Sequence, residues 1–314
     1  MQIKIIENSK KFVGLSLVIV VLSLGAFFTK GLNYGIDFSG GNLFQLRFEN
    51  PITLNDINNN LDEISKEINQ VNPNSRKVQI SEDNTVIIRT PELTETEKTE
   101  VLDSLKKIGN FDVNKEEKVG ASVGEELKTS AIYALGIGAF LIILYITFRF
   151  EFIFAVAAVA ALFHDLIIAV GVISLLGYEV DTPFIAAILT ILGYSINDTI
   201  VVFDRIRENM KRKNKISFEA CLDKSVNQVM IRSINTSVTT LFAIIAILVF
   251  GGDSLKTFIV TLLIGILAGT YSSVFIATPL VYFLDKNKKG PNKGLHIFGE
   301  EKKKESKNEE KILV

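Results

Sequence analysis

Hydrophobic positions along the chain follow two regimes. Long apolar runs begin near Phe12, Ala131, Phe152, Phe184, Ile234 and Phe258. Each is long enough to supply the roughly 20 residues that cross a ~30 Å hydrocarbon core. They predict six membrane-spanning helices. Arg149-Phe150-Glu151 makes a tight charged turn between the second and third, and Gly177–Thr182 separates the third from the fourth. Between the first two runs, from about Gly31 to Glu126, the pattern shortens to the periodicities of a water-soluble domain.

Within that domain Asn42 to Glu49 alternates, with Phe44, Leu46 and Phe48 on one face and Gln45, Arg47 and Glu49 on the other, a half-buried strand. Leu54, Ile57, Leu61, Ile64, Ile68 and Val71 step at three- and four-residue intervals, an amphipathic helix with Thr53 and Asp56 as a capping-box start and Pro73 beyond its end. Lys77–Ile80 and Thr85–Arg89 flank Glu82-Asp83-Asn84 and read as a hairpin. A second helix starts at Thr94 with Glu97 three residues on, carries Val101, Leu105 and Ile108, and stops at Gly109-Asn110. A last strand runs from Phe111 towards Val119. With a short strand before or after, the order is βαββαβ, the split-βαβ, ferredoxin-like pattern. The domain has no His or Cys and no glycine-rich phosphate cradle beside a lysine. It reads as a mechanical or binding module. Just after the first span, Gly35-Ile-Asp-Phe-Ser-Gly-Gly41 admits unusual backbone angles, and Asp37 can hold a turn. Gly35, Asp37, Gly40 and Gly41 read as a strand start with tight turns, with a hinge as the alternative.

Composition agrees with the spans: 48% of the 314 residues are hydrophobic. The net charge of −1 conceals an asymmetry. Lys4, Lys10 and Lys11 precede the first span, Arg149 sits between the second and third, and Arg205 to Lys224 fill the connection from fourth to fifth. The tail carries Lys286, Lys288, Lys289 and Lys302–Lys304, and only Lys30 dissents. By the positive-inside rule both termini are cytoplasmic and residues 31–127 extracytoplasmic. The expected organisation is a cytoplasmic N-terminus over 1–11, a first span over 12–30, the ferredoxin-like domain over 31–127, a five-helix bundle over 128–284 with a basic loop at 204–231, and a disordered charged tail over 285–314. A cleaved leader is the alternative for the first span, against which stand its length and the lack of an A-x-A site. The single cysteine, Cys221, excludes an internal disulfide framework.

Polar residues inside the spans then narrow the function. The fourth span carries Asn197, Asp198 and Thr199, with Tyr194, Asn197, Asp198, Val201 and Arg205 near one face. An acid in hydrocarbon costs roughly 2.5–3.5 kcal/mol on insertion scales and is a functional candidate by default. Asp198 lies ~9 Å of helix rise from Asp204 at the span's end. On the fifth span Arg232, Asn235, Thr236, Thr239 and Thr240 form a similar stripe, with Arg232 near the depth of Asp198. The third span holds His164 and Asp165, the latter in line with Ala157, Ala161 and Ala169. Gly265-Ile-Leu-Ala-Gly269 is a packing motif in the sixth. Arginine keeps its proton, so any titration falls on a carboxylate. A carboxylate that meets Arg232 in one helix arrangement and loses it in another is the minimum device for coupling protons to movement. A buried Asp198–Arg232 ion pair that fixes packing is the structural alternative. Asp204 reads as a helix-end charge among head groups, and His164 either as a proton group or as a hydrogen-bonded interhelix histidine. No metal-ligand set or nucleophile–base pair lies in the spans, so the expectation is a non-enzyme without cofactor or metal.

With these residues in hand, the chain resembles SecF-type members of the SecD/SecF family, subunits of the bacterial protein-export machinery. The resemblance rests on Gly35–Gly41, Phe163-His-Asp165, the block from Gly193 to Asn209 and Arg232-Ser-Ile-Asn-Thr-Ser-Val-Thr-Thr240, and covers nearly the whole chain. It implies half of a resistance-nodulation-division type bundle, completed by SecD. It further implies work with the SecYEG channel and the SecA motor, with YajC and YidC as associates, on a translocating preprotein under the proton-motive force. Asp198 matches the acid of the family's proposed proton path and Arg232 its basic residue; Asp165 is a weaker addition. The alternatives are a proton-driven small-molecule exporter on the same bundle and a non-conducting scaffold, which needs no titrating acid.

Overall fold

A computed structural model of the chain describes residues 3–81, 84–211, 216–252 and 255–286. Beyond Lys286, the expected tail lies outside them. Among the described residues six helices are long and apolar enough to cross a membrane: α1 (Ser9–Lys30), α5 (Ala121–Arg149), α6 (Phe152–Leu176), α7 (Thr182–Lys211), α8 (Phe218–Phe250) and α9 (Lys256–Ser272), the last continuing through a π turn (Ser273–Ala277) into α10 (Thr278–Lys286). The chain is therefore a multi-pass membrane protein. Several helices outrun their apolar windows. α7 stays helical to Lys211, and α8 starts at Phe218, where Ser217 Oγ accepts from Ala220 N–H at 3.2 Å. Most of the stretch expected as a basic loop over 204–231 is thus helix, because a capped polar turn extends an apolar helix at little cost.

The chain divides into two compact units, a helical one and a smaller sheet unit of residues 34–134 and 180–182. After the two-residue strand β1 (Asn33–Tyr34), β2 (Gly41–Phe48), α3 (Leu54–Ile64), β3 (Lys77–Ile80), β4 (Thr85–Thr90), α4 (Glu95–Lys106) and β5 (Phe111–Val119) follow in that order in the sheet unit. The sheet order is β3-β4-β2-β5 with antiparallel neighbours, the ferredoxin-like arrangement, and no additional strand is needed to complete it. Alternation puts Phe44, Leu46, Phe48, Val86 and Ile88 on one face, where they pack with Ile57 and Leu61 of α3 and Val101 and Leu105 of α4. Each such side chain contributes roughly 1.5–3 kcal/mol by leaving water. Both capping boxes form, Thr53 with Asp56 and Thr94 with Glu97.

Two local expectations are corrected. The first amphipathic helix ends at Ile64 rather than running to Val71; a separate 3-10 turn at Asn69–Val71 buries Val71, and Ile68 just before it is buried in extended backbone. Arg76 ties this segment back, its Nη2 reaching Asp62 Oδ1 at 2.6 Å and Asn58 O at 3.1 Å. The glycine motif is not a plain strand start. It encloses a short helix, α2 (Ile36–Ser39), between Gly35 and Gly40. Gly40 (φ +69°) and Gly41 (φ +117°) have left-handed backbones, and a Cβ on Gly41 would lie 2.1 Å from Thr90 O.

In the helical unit the core gathers Ile146, Phe150, Phe154, Ala157, Ala161 and Phe203 with residues of α8 and α10. α1 turns Ser9, Ser16 and Ser23 inward. A Cβ on Gly171 of α6 would lie 2.3 Å from Ser23 Cβ, so the two backbones touch.

Candidate functional site

The third-span alanines set the site's depth. Ala157, Ala161 and Ala169 are buried on α6, and Asp165 shares their face. Small side chains let neighbours approach: a Cβ on Gly265 of α9 would lie 2.2 Å from Ile191 Cδ1, and one on Gly269 would lie 2.9 Å from Ser195 Cβ. The glycine pair of the sixth span is therefore a seat for α7.

At this crossing Asp165 is wholly buried, and both its oxygens are engaged. Oδ2 accepts from Ser195 Oγ of α7 at 2.6 Å and from Ser272 Oγ of α9 at 2.8 Å, while Oδ1 lies 2.8 Å from His164 Nδ1. One turn further along α7, Thr199 Oγ1 lies 2.9 Å from Ser273 Oγ, at the start of the π turn. π turns recur at functional sites because the extra residue re-aims its neighbours. Among the described residues His164 Nε2 is buried without a partner.

Asp198 has a different environment. It is buried on α7, and among the described residues its Oδ2 has no hydrogen-bond partner and no cation lies within ion-pair distance. Arg232 on α8 is exposed and forms no ion pair with that carboxylate. The packed ion pair weighed from the sequence is absent from this conformation. Thr199 is buried, whereas Asn197 and Asn235 are exposed on the surfaces of α7 and α8.

Below them a cleft of about 620 Å³ opens between α7 and α8, lined by Asp204, Arg205, Glu208, Gln228 and Arg232. Arg205 Nε donates to Gln228 Oε1 at 2.7 Å and its Nη1 to Glu208 at 2.6 Å. Asp204 is more than a lone helix-end charge: Arg149 Nη2 reaches both its oxygens at 2.9 and 3.0 Å, joining the end of α5 to α7. Elsewhere, Asp37 Oδ2 of the glycine motif accepts from Thr182 N–H at 2.9 Å. Sequence reasoning passed over Ser195, Ser272 and Ser273. No pattern along the chain marks them, because their partner lies on another helix.

These features define a multi-pass membrane protein whose polar chemistry is concentrated inside its own helix bundle. Residues 99–287 match the family model described as protein export membrane protein SecD/SecF, C-terminal, and residues 25–52 match the SecD/SecF GG motif. The protein translocase subunit SecF of Sebaldella termitidis is 48% identical over 316 residues, covering 100% of both chains. That of Pseudomonas aeruginosa is 39% identical over 277 residues, covering 86% of this chain and 87% of its own. The crystal structure of SecDF, a translocon-associated membrane protein from Thermus thermophilus, superposes with a TM-score of 0.83 at 36% identity; the match covers 92% of this chain and 39% of that one. The chain belongs to the SecD/SecF family.

Proposed function

We propose that the chain is a translocase subunit of the Sec system that works with SecD, using the proton-motive force to complete preprotein passage across the bacterial cytoplasmic membrane. The observation that carries this reading is Asp198: an acid buried in a membrane helix with an unpartnered oxygen, in a chain matched end to end by a SecF relative. A carboxylate so placed is uncomfortable when ionised and has room to take a proton. Arg232 is the fixed positive charge that the ionised form meets when α7 and α8 rearrange, and Asp165 is a weaker third member. Asn197, Thr199 and Asn235 supply polar surface along the path. Gly35, Asp37, Gly40 and Gly41 make the joint after the first span.

The match to part of a SecDF chain supports SecD as the half that completes the bundle. SecYEG, SecA, YajC and YidC are the associates that family membership suggests. The lysine and arginine bias supports cytoplasmic termini and an extracytoplasmic sheet unit over 31–127. No enzymatic step is part of the reading. In a bacterium lacking its own subunit of this type, the wild-type chain with its SecD restores secretion of a reporter preprotein. Asp198→Asn and Arg232→Ala, at equal membrane levels, leave secretion at the deletion level. Full restoration by both variants overturns the proton-coupled role.

A further inference from the structure

Asp165 differs from Asp198 in that both its oxygens have partners, and a satisfied carboxylate is suited to holding helices in place. We propose that Ser195 and Ser272, meeting on Asp165, are positioning residues: they fix the rotation and axial register of α7 and so keep Asp198 turned into its partnerless environment. This inference rests on Asp198 being the proton-accepting group.

Packing and hydrogen bonds both bear on that rotation. On α7 the apolar side chains Ile191, Ile196 and Phe203 are buried, Ile191 against Gly265 of α9, and the glycines let the backbones approach. Directional hydrogen bonds add to that fit at the level of Asp198. Ser195 precedes Asp198 by three residues, about one turn and ~60° around the helix. Its hydroxyl reaches across to α6 at 2.6 Å. Ser272 brings α9 to the same carboxylate oxygen at 2.8 Å. Thr199, on the other side of Asp198, meets Ser273 at 2.9 Å. Three helices are thus pinned together at the depth of Asp198, and a rotation of α7 that re-aims Asp198 must first break the Ser195–Asp165 bond. By contrast, the contact from α7 to α8 at this level, Tyr194 Oη to Thr240 Oγ1, is 3.3 Å long. Charged and titratable groups on the elements around Asp198 include Arg232 on α8, with Glu219, Cys221, Asp223 and Lys224 nearer that helix's start, His164 and Asp165 on α6, and Tyr194, Asp204 and Arg205 on α7 itself. α9 and the π turn offer hydroxyls, and Tyr271 is committed to Phe12 O at 2.8 Å.

The test reads Asp198 directly. Dicyclohexylcarbodiimide reacts with protonated carboxyls in apolar surroundings, so labelling of the full chain in membranes with its SecD, followed by peptide mass spectrometry, gives the pH of half-maximal reaction at Asp198. Ser195→Ala and Ser272→Ala each remove one oxygen. Each is expected to move that pH by about one unit, a tenfold change in proton concentration. Ser237→Ala breaks a part-buried hydroxyl pair between α8 and α9, Ser237 with Thr270 at 2.6 Å, and is expected to leave it unmoved. Asp165→Asn, which still accepts from both hydroxyls, should move it less than Asp165→Ala. An unchanged half-labelling pH in both serine variants overturns the positioning role while leaving Asp198 as the proton acceptor. A wild-type Asp198 that reacts at no pH overturns that reading, and the positioning role with it.

Discussion

Asp165 and Asp198 sit inside the same bundle and are tolerated there by opposite means. Asp165 has two serine hydroxyls and a histidine ring around it, whereas Asp198 has an oxygen with no donor among the described residues. Because a buried polar group without a partner costs about 1–3 kcal/mol, a site that keeps one is a place where protonation state matters. Carboxylates of the sheet unit show the ordinary use of such groups. The Thr53 hydroxyl, then its N–H, hold Asp56 below its usual 3.8, and the Thr94 N–H and hydroxyl hold Glu97 below its usual 4.5. Both folded values are depressed, so the caps contribute fully above those ordinary values and are lost as pH falls through the folded ones. The melting temperature of the sheet unit, followed by circular dichroism, should therefore fall below a pH of about 4. Asp56→Asn with Glu97→Gln should flatten that part of the profile, and an unchanged slope would remove the caps from the explanation.

At the scale of elements, α1 and α6 are held by backbone contact. Gly171→Ala would drive a methyl into Ser23, 2.3 Å from its Cβ, and should cost about 1–3 kcal/mol as overpacking. Gly14→Ala on α1 meets nothing within 4 Å and should be neutral or slightly stabilising. Thermal unfolding in detergent separates the two, and equal melting temperatures would contradict the contact. The legibility of each element follows from the range of the forces behind it. Capping boxes, the alternation of β2, the hairpin and the six spans are local patterns, and all were readable. The α2 turn was not, since three glycines permit many backbones and its choice depends on Thr90 and Ala121 far along the chain. The same holds for the serines. Ser195 and Ser272 gain their meaning from a carboxylate on another helix, and Ser9, Ser16 and Ser23 from a glycine on another, so neither set marks itself in one dimension. Asp198, Asp165 and Arg232 stood out because charge in an apolar run is conspicuous wherever it is paired.

For the molecule as a whole, burial is uneven among the spans. The most apolar windows of α6 and α7 are 61% and 50% buried, those of α5 and α8 only 6% and 17%. Phe148 at the end of α5 and Phe250 at the end of α8 are 83% and 89% exposed. Lipid can cover such apolar surfaces, but the polar stripe of Arg232, Asn235, Thr236 and Thr239 on α8 is exposed as well, and hydrocarbon is a poor solvent for it. That surface suits a bundle completed by a second half. It also leaves Arg232 free to meet Asp198 only when helices move. The most direct measurement is preprotein export into inverted vesicles carrying this chain and its SecD, with ATP-driven initiation held constant. Wild type and Asp198→Asn would be compared with and without a proton gradient. The account predicts that the gradient accelerates late export several-fold in wild type and leaves the variant at its gradient-free rate, at equal subunit levels; an equal response of both to the gradient would contradict it.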